Sequence, residues 1–289
     1  MKVLVIGGSG FLGSHVADEL SNIDYEVTIG DIVKSEYIQK SQSFLKLDIM
    51  DVDLLIEKIK DFDVVYNFAG LADINVALTN PLKTVELNIL GNTNILEACR
   101  INKIKRYIYA SSAYVFSNKG SFYGISKQAS ERLIEEYSQS FGLNYTIIRY
   151  GSVYGPRADA QNRIYRMVKQ AIDDGKITYT GNGDEIREYI HVRDAASLSV
   201  EILNEKYINE HLILTGVEKF KYSELLNMIK EIMNNEIEIE YLNNEYSGHY
   251  EISPYSLHHP KVGKKIINNP FVDFGQGLLE VILESKDNA

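Results

Sequence analysis

An apolar run, Val3-Leu4-Val5-Ile6, passes without a break into Gly7-Gly8-Ser9-Gly10-Phe11-Leu12-Gly13. This segment satisfies Gly-x-x-Gly-x-x-Gly (7, 10, 13) and Gly-x-Gly-x-x-Gly (8, 10, 13) at once. Each glycine has a separate physical task. One allows a tight turn, one lets the backbone approach a pyrophosphate, and one lets a helix pack closely on the strand. The helix N-terminus then aims unpaired N–H groups at an anion. The spacing predicts a buried strand over 2–6 and a helix over 11–22, the opening unit of a parallel sheet.

The rest of the first half keeps that alternation. Short β-branched or aromatic runs predict strands near 26–30, 44–47, 63–67, 106–110 and 145–149, with amphipathic helices near 51–60, 83–102 and 123–141. Val64-Val65-Tyr66 and Tyr107-Ile108-Tyr109 are apolar on both faces, as strands covered by helices on both sides must be. The expected fold is α/β, a Rossmann-type doubly wound parallel sheet with a smaller C-terminal α/β substrate lobe. After Gly155-Pro156-Arg157 the rhythm changes to a helix near 160–174, a turn at Asp173-Asp174-Gly175 and a loop at Gly181-Asn182-Gly183-Asp184. Residues 1–155 are therefore read as a dinucleotide-binding domain. A strand from Glu188 and a helix from Asp194, within about 188–213, are expected to rejoin it. The substrate lobe is assigned 156–187 and 214–289, including a turn-rich stretch with Pro254, Pro260 and Pro270.

Composition narrows the partners. With 289 residues, 45% hydrophobic and 24% charged, the chain is an ordinary globular protein and not a disordered or fibrous one. A net charge of -10 argues against nucleic acid or an anionic membrane as partner, so an anionic ligand must be met by local positive charge. The N-terminal apolar run is too short for a secretion signal, and no 18-residue apolar stretch exists to span a membrane. A single cysteine, Cys99, allows no internal disulfide and no cysteine-based zinc site, which points to a reducing, cytoplasmic setting.

Two constellations carry chemistry. The second strand, Glu26 to Gly30, ends in Asp31, 21 residues beyond Gly10. A carboxylate there accepts hydrogen bonds from an adenosine ribose diol and repels a 2′-phosphate, so NAD is expected over NADP. Tyr123 and Lys127 stand four residues apart on one helix face, where an ammonium favours phenolate and makes the tyrosine a usable general base. That spacing recurs at Tyr165 and Lys169, so position decides. Tyr123 follows a central strand that delivers Ser111-Ser112 to the sheet's carboxyl edge, where open α/β folds bind ligands. Tyr165 lies beyond the sheet, on a helix whose Tyr165, Val168 and Ile172 spacing suggests packing.

In order and spacing, these residues resemble the extended short-chain dehydrogenase/reductases, specifically the NAD-dependent sugar-nucleotide epimerase/dehydratase family. The likeness covers nearly the whole chain. It rests on Gly7, Gly10 and Gly13 with Asp31, Asp48-Ile49, Asn67-Phe68-Ala69-Gly70, Asn88-Ile89-Leu90-Gly91-Asn92, Ser111-Ser112-Ala113-Tyr114-Val115, Tyr123 with Lys127, Arg149-Tyr150-Gly151-Ser152-Val153-Tyr154-Gly155-Pro156-Arg157, and Arg187-Glu188-Tyr189-Ile190-His191-Val192-Arg193-Asp194. The resemblance implies a cofactor site at Gly7, Gly10, Phe11, Leu12, Gly13, Asp31, Asp48, Ile49, Phe68, Ala69, Gly70, Asn88, Tyr123 and Lys127. In it Asp48 and Ile49 hold the adenine and Lys127 also binds the nicotinamide ribose. It further implies that Ser112 hydrogen-bonds the reacting sugar hydroxyl, that Ser152 and Arg157 line the sugar-nucleotide site, and that Arg187 contacts the diphosphate. No metal is called for.

Charge placement adds to this independently. Six of nine arginines, Arg149, Arg157, Arg163, Arg166, Arg187 and Arg193, fall between 149 and 193. Guanidinium matches phosphate bidentately. Arg163 and Arg166 are expected in surface ion pairs, and Arg187 is expected on the ligand. His258-His259-Pro260 reads as loop, His191 as a packed strand residue and Cys99 as packing.

Departures from the family pattern narrow the reaction. Related dehydratases carry an acidic pair after the catalytic Ser/Thr, where this chain has Ala113 and Tyr114, and Cys99 is in the wrong element for deprotonation at C5. Ser152 replaces an asparagine, and only ten residues, 113–122, separate Ser112 from Tyr123. The leading expectation is an NAD-dependent 4-epimerase of a nucleoside-diphosphate sugar, acting through a 4-keto intermediate. A 4-dehydrogenase or 4-keto reductase on the same substrates, and a non-catalytic nucleotide-sensing protein, are the alternatives. A homodimer is expected through the helices near 83–102 and 123–141, with Ile89, Thr93, Leu96 and Arg100 forming a stripe at helical spacing.

Overall fold

The structure is a computed structural model that describes residues 1–242, 249, 264–266 and 271–287. His258, His259 and the three turn prolines Pro254, Pro260 and Pro270 lie outside the described residues. The chain opens with β1 (Lys2–Ile6), α1 (Phe11–Asn22), β2 (Glu26–Asp31), β3 (Ser43–Lys46), α2 (Val52–Ile59) and β4 (Val64–Asn67). It continues through α3 (Ile74–Thr79), α4 (Pro81–Val85), a π turn (Glu86–Leu90), α5 (Gly91–Ile101), β5 (Arg106–Ser112), α6 (Ser121–Phe141) and β6 (Tyr145–Tyr150). Side-chain alternation splits β1 between two cores. Val3 and Val5 join Val16, Leu20, Ala195 and Leu198, while Leu4 and Ile6 join Leu55, Ile95 and Ile134 on the opposite face. β4 and β6 are buried at every position, as strands covered on both faces must be, and their polar members Asn67, Thr146 and Arg149 are hydrogen-bonded inside.

The remaining elements are β7 (Ser152–Tyr154), α7 (Arg163–Asp174), β8 (Lys176–Thr180), β9 (Ile186–His191), α8 (Val192–Glu201), β10 (Glu210–Leu214), β11 (Lys219–Lys221), α9 (Tyr222–Ile232), β12 (Glu238–Leu242), β13 (Lys264–Ile266) and α10 (Phe274–Asp287). Eight strands form one parallel sheet in the order β13-β10-β6-β5-β4-β1-β2-β3. The chain leaves β3 at one edge and re-enters beside β1 as β4. The strand order therefore reverses at β1, and the glycine turn sits at that switch point.

Within the stretch expected to rejoin the sheet, β10 does so and α8 packs beside α1. β9 does not. It pairs with β7 and β11 in a separate three-stranded sheet, and β8 pairs with β12 in a two-stranded one. These small sheets share a core of their own, in which Tyr154, Val168, Tyr179 and Leu225 meet Phe274 and Leu278 of α10.

One element departs from its expected form. The helix read over 83–102 is interrupted by the π turn at 86–90, which turns Asn88 into the interior while leaving Leu90 exposed.

Candidate active site

A cavity of about 760 Å³ runs from the glycine turn, past the carboxyl ends of β4, β5 and β6, to the residues that open α7 and α9. At its first end the three glycines play different parts. Gly7 has φ +76°, and a Cβ there would come 2.6 Å from the Ala69 nitrogen; a Cβ on Gly13 would overlap the Gly7 carbonyl oxygen. Both are demanded by the turn itself. Gly10 is different. Its Cβ would meet only the Gly7 oxygen, at 3.4 Å, so what the missing side chain keeps clear is the cavity at the start of α1. That cleared space beside unpaired helix N–H groups suits a pyrophosphate. Asp31 closes the same end. Its carboxylate accepts from the Ser9 nitrogen at 3.1 Å and the Ile32 nitrogen at 2.8 Å, and it lines the cavity where a ribose diol would lie.

Phe11, Leu12, Asp48, Ile49, Phe68, Ala69 and Gly70 also line the cavity, as do Tyr123 and Lys127. Asn88 does not. From the π turn it accepts from the Leu71 nitrogen at 2.7 Å and donates to the Leu71 oxygen and Ser126 Oγ, both at 2.9 Å. It braces the loop after β4 against α6, one layer behind the ligand surface. The donor set and the glycine cradle thus fit a dinucleotide. Asp48, Ile49 and Asp31 would hold the adenosine, Gly10 the pyrophosphate and Lys127 the second ribose.

Ser112 ends β5, and Tyr123 and Lys127 lie on the buried face of α6. Ser112 and Tyr123 both line the cavity, and Ser112 Oγ accepts from the Tyr114 nitrogen at 3.4 Å. Lys127 Nζ donates to the Ala110 carbonyl at 2.7 Å, and lies 4.7 Å from the Tyr109 ring centroid and 5.8 Å from that of Tyr123. Burial pulls the Lys127 ammonium down to about 8, with Glu131 opposing. Burial pushes the Tyr123 phenol up, with Ser112 opposing. The expectation that Lys127 lowers the Tyr123 pKa is therefore corrected for the chain alone. The ammonium is aimed at a carbonyl and is itself desolvated, so it leaves the phenolate uncompensated.

Beneath this triad lies a buried charge network. Arg149 Nε and Nη2 donate to the two Glu131 oxygens at 3.0 and 2.7 Å, Ser111 Oγ donates at 2.6 Å, and His211 bridges toward Glu135. Burial alone would raise the Glu131 carboxyl, but His211, Arg149 and Ser111 hold it at about 2. One turn beyond Lys127 on α6, this fixed anion favours the lysine's charged form.

The far end of the cavity is lined by Ser152, Arg163, Arg187, Tyr189, Tyr222, Tyr114 and His249. Arg187 is buried, with its guanidinium carbon 5.6 Å from the Tyr222 ring centroid and Nη1 donating to the Ile186 carbonyl at 2.8 Å. Two readings of the arginine-rich segment are corrected. Arg163, expected in a surface ion pair, lines the cavity at the start of α7, 4.6 Å from the Tyr222 centroid and 5.2 Å from that of Tyr179. Arg157, expected at the ligand, is not among the cavity residues. It adopts φ +63°, pairs with Asp18 at 2.8 Å and covers the Tyr37 ring. Arg166 does make an ion pair, with Asp73 at 3.2 Å. Sequence reasoning also missed Tyr222 and His249, which no local motif announces.

His191 is buried, accepts from the Arg193 nitrogen at the start of α8 and packs edge-on against Tyr154; Cys99 is buried in the α5 core. No group of three or more His, Cys, Asp or Glu that would hold a metal is present among the described residues, and none of the described helices is long and apolar enough to cross a membrane.

A doubly wound sheet with a glycine cradle at its switch point and Ser, Tyr and Lys at its carboxyl edge defines a Rossmann-type dinucleotide-dependent enzyme of the short-chain dehydrogenase/reductase kind. The family model for the NAD dependent epimerase/dehydratase family matches residues 3–213, and the chain belongs to that family. It is 31% identical over 250 residues to a Methanocaldococcus jannaschii protein provisionally named as a UDP-glucose 4-epimerase, covering 79% of this chain and 81% of that one. Among solved structures it resembles the Thermus thermophilus UDP-glucose 4-epimerase in complex with NAD, with TM-score 0.84 and 26% identity over 100% of both chains. It shares its fold with the Bacillus cereus UDP-glucuronic acid 4-epimerase, with TM-score 0.87 and 24% identity over 100% of both chains.

Proposed function

We propose that the protein is an NAD-dependent 4-epimerase of a uridine-diphosphate hexose. The observation that carries this reading is one continuous cavity with a dinucleotide cradle at one end, two arginines at the other, and Ser112, Tyr123 and Lys127 between them. When bound, NAD supplies a reversible hydride acceptor at the sugar's C4. The protein's own part is proton handling and orientation. Tyr123 takes the C4 hydroxyl proton, Ser112 orients that oxygen, and Lys127, which donates to the Ala110 carbonyl, is the group proposed to hold the second ribose. Arg187 and Arg163 are proposed to hold the diphosphate by charge-assisted bonds. Such anchoring would let the hexose turn over between proton removal and return while the nucleotide stays in place. With Ala113 and Tyr114 in the two positions after Ser112, the chain offers no acidic pair for water elimination.

The nucleotide-binding part is assigned to the large sheet with α8 and β10, and the sugar-binding part to the small sheets with α7, α9 and α10. We further propose a homodimer, supported by the exposed apolar residues of α4, the π turn and α6, and a cytoplasmic location, supported by the single buried thiol. The test is incubation of the NAD-loaded protein with UDP-glucose, followed by NMR of the sugar. Conversion to the C4 epimer without stoichiometric NADH absorbance supports the reading, and accumulation of NADH in step with a ketone replaces it by a dehydrogenase.

A further inference from the structure

Tyr114 stands two residues after Ser112, and its ring meets that of Tyr123 edge-on, with centroids 6.1 Å apart. Its seat is built for it. Gly120 has φ +92°, and a Cβ there would fall 2.5 Å from Tyr114 Cδ1; Gly124, on the first turn of α6, has the Tyr114 Cβ at 3.8 Å from where its own would be. The hydroxyl lies 2.6 Å from Nδ1 of His249, a residue 135 positions away in the chain, and both side chains line the cavity. His249 is drawn down to about 4, by burial first and then by Arg163, Arg187 and Arg166 against Asp73, so its imidazole is neutral at neutral pH.

We propose that Tyr114 and His249 are the specificity-determining pair of the sugar pocket, reading the group on the carbon next to the reacting C4 and admitting a neutral hydroxymethyl there in preference to a carboxylate. The inference rests on the 4-epimerase reading. Inversion at C4 requires the hexose to present its two faces in turn, so its two edges exchange places, and a residue flanking Tyr123 meets the C6 group in one of the two orientations. In the complex, the diphosphate takes up the charge of Arg163 and Arg187, and Arg166 is paired with Asp73. What then faces the C6 group is a phenol and an uncharged imidazole. These can exchange hydrogen bonds with a hydroxyl, whereas neither carries a positive charge to offset a desolvated carboxylate.

The experiment measures kcat/KM and calorimetric affinity of the NAD-loaded protein for UDP, UDP-glucose and UDP-glucuronate, in the wild type and in Tyr114→Phe, His249→Ala and His249→Arg. The wild type is expected to favour UDP-glucose over UDP-glucuronate by about tenfold or more. Tyr114→Phe and His249→Ala should shrink that ratio to within about threefold, while UDP affinity stays within about twofold and the melting temperature holds. His249→Arg should move the ratio toward the uronate by about tenfold. A wild type that prefers the uronate, a ratio unmoved in all three variants, or UDP affinity falling in step with that of UDP-glucose overturns the assignment. If the wild type turns over neither sugar, the 4-epimerase reading fails by itself, and the affinity ratios still decide whether the pair reads the sugar.

Discussion

At the scale of single residues, burial and hydrogen bonding set the roles. Tyr123→Phe removes the phenol hydroxyl from the cavity beside Ser112, and turnover is expected to fall about 10²-fold or more with the fold intact. Tyr165→Phe is the control, since Tyr165 shares the same spacing to a lysine but lies on α7 outside the residues lining the cavity. Steady-state rates with matched melting curves check the pair; equal losses would remove Tyr123 from its role. Asp31→Ala should narrow the preference for NAD over NADP, measured by titrating each dinucleotide into cofactor-free protein, because the carboxylate lining the ribose end is the group that opposes a 2′-phosphate. These residues were legible because their chemistry depends on spacing within a few turns of chain. Arg157 and Arg163 were not separable that way. Both lie in the arginine-rich segment, and only their tertiary partners, Asp18 and Tyr37 for Arg157 and the Tyr222 and Tyr179 rings for Arg163, show which guanidinium meets the cavity. Tyr114 and His249 converge only through the tertiary fold, so no pattern in the sequence could pair them.

At the scale of elements, the strand-turn-helix unit separates packing glycines from the ligand glycine. Gly13→Ala forces a Cβ onto the Gly7 carbonyl and should lower the melting temperature by several degrees, whereas Gly10→Ala, at an allowed φ of -80°, should fold normally yet lose about tenfold or more in NAD affinity. Thermal melts beside NAD titrations distinguish them, and loss of stability in Gly10→Ala would undo the distinction. The same unit was legible in the sequence because one covalent stretch contains all of it. The break at 86–90 was not: a π turn keeps the apolar spacing of a helix while shifting its phase, and Asn88 reveals itself only through Leu71 and Ser126. Element junctions also make stability depend on pH. His15 bonds the Pro156 carbonyl at 3.0 Å and His191 lies 3.3 Å from Glu280 of α10, and burial draws both imidazoles down to about 4 from 6.5. Between those values the unfolded chain binds protons that the native chain does not. Stability should therefore fall as pH drops from about 6.5 toward 4, by up to about 1.4 kcal/mol per unit for each histidine. Denaturant melts across that range check the slope, which His15→Gln and His191→Gln should each flatten.

At the scale of the whole molecule, α6 has two unlike faces. One carries Tyr123, Lys127 and Glu131 against the sheet, and the other exposes Phe122 and Ile125. Beside it, α4 and the π turn expose Leu82, Val85 and Leu90, with Leu82 86% accessible. The stripe expected from the sequence, Ile89, Thr93, Leu96 and Arg100, is only partly available, because Leu96 is wholly buried in the core and Arg100 is paired with Glu97. Helical spacing could show that one face is apolar but not which part of it the sheet covers. The residues left over, Leu82, Val85, Leu90, Phe122 and Ile125, are large, apolar and exposed on three elements that pack together, and a second copy of the chain would bury them across a two-fold axis. Sedimentation at micromolar concentration should give a species of twice 32.8 kDa. Leu82→Asp combined with Ile125→Asp should give the single mass with the fold retained by circular dichroism, since both side chains point away from either core. A wild-type chain that sediments at the single mass would leave these residues as ordinary surface and reject the dimer.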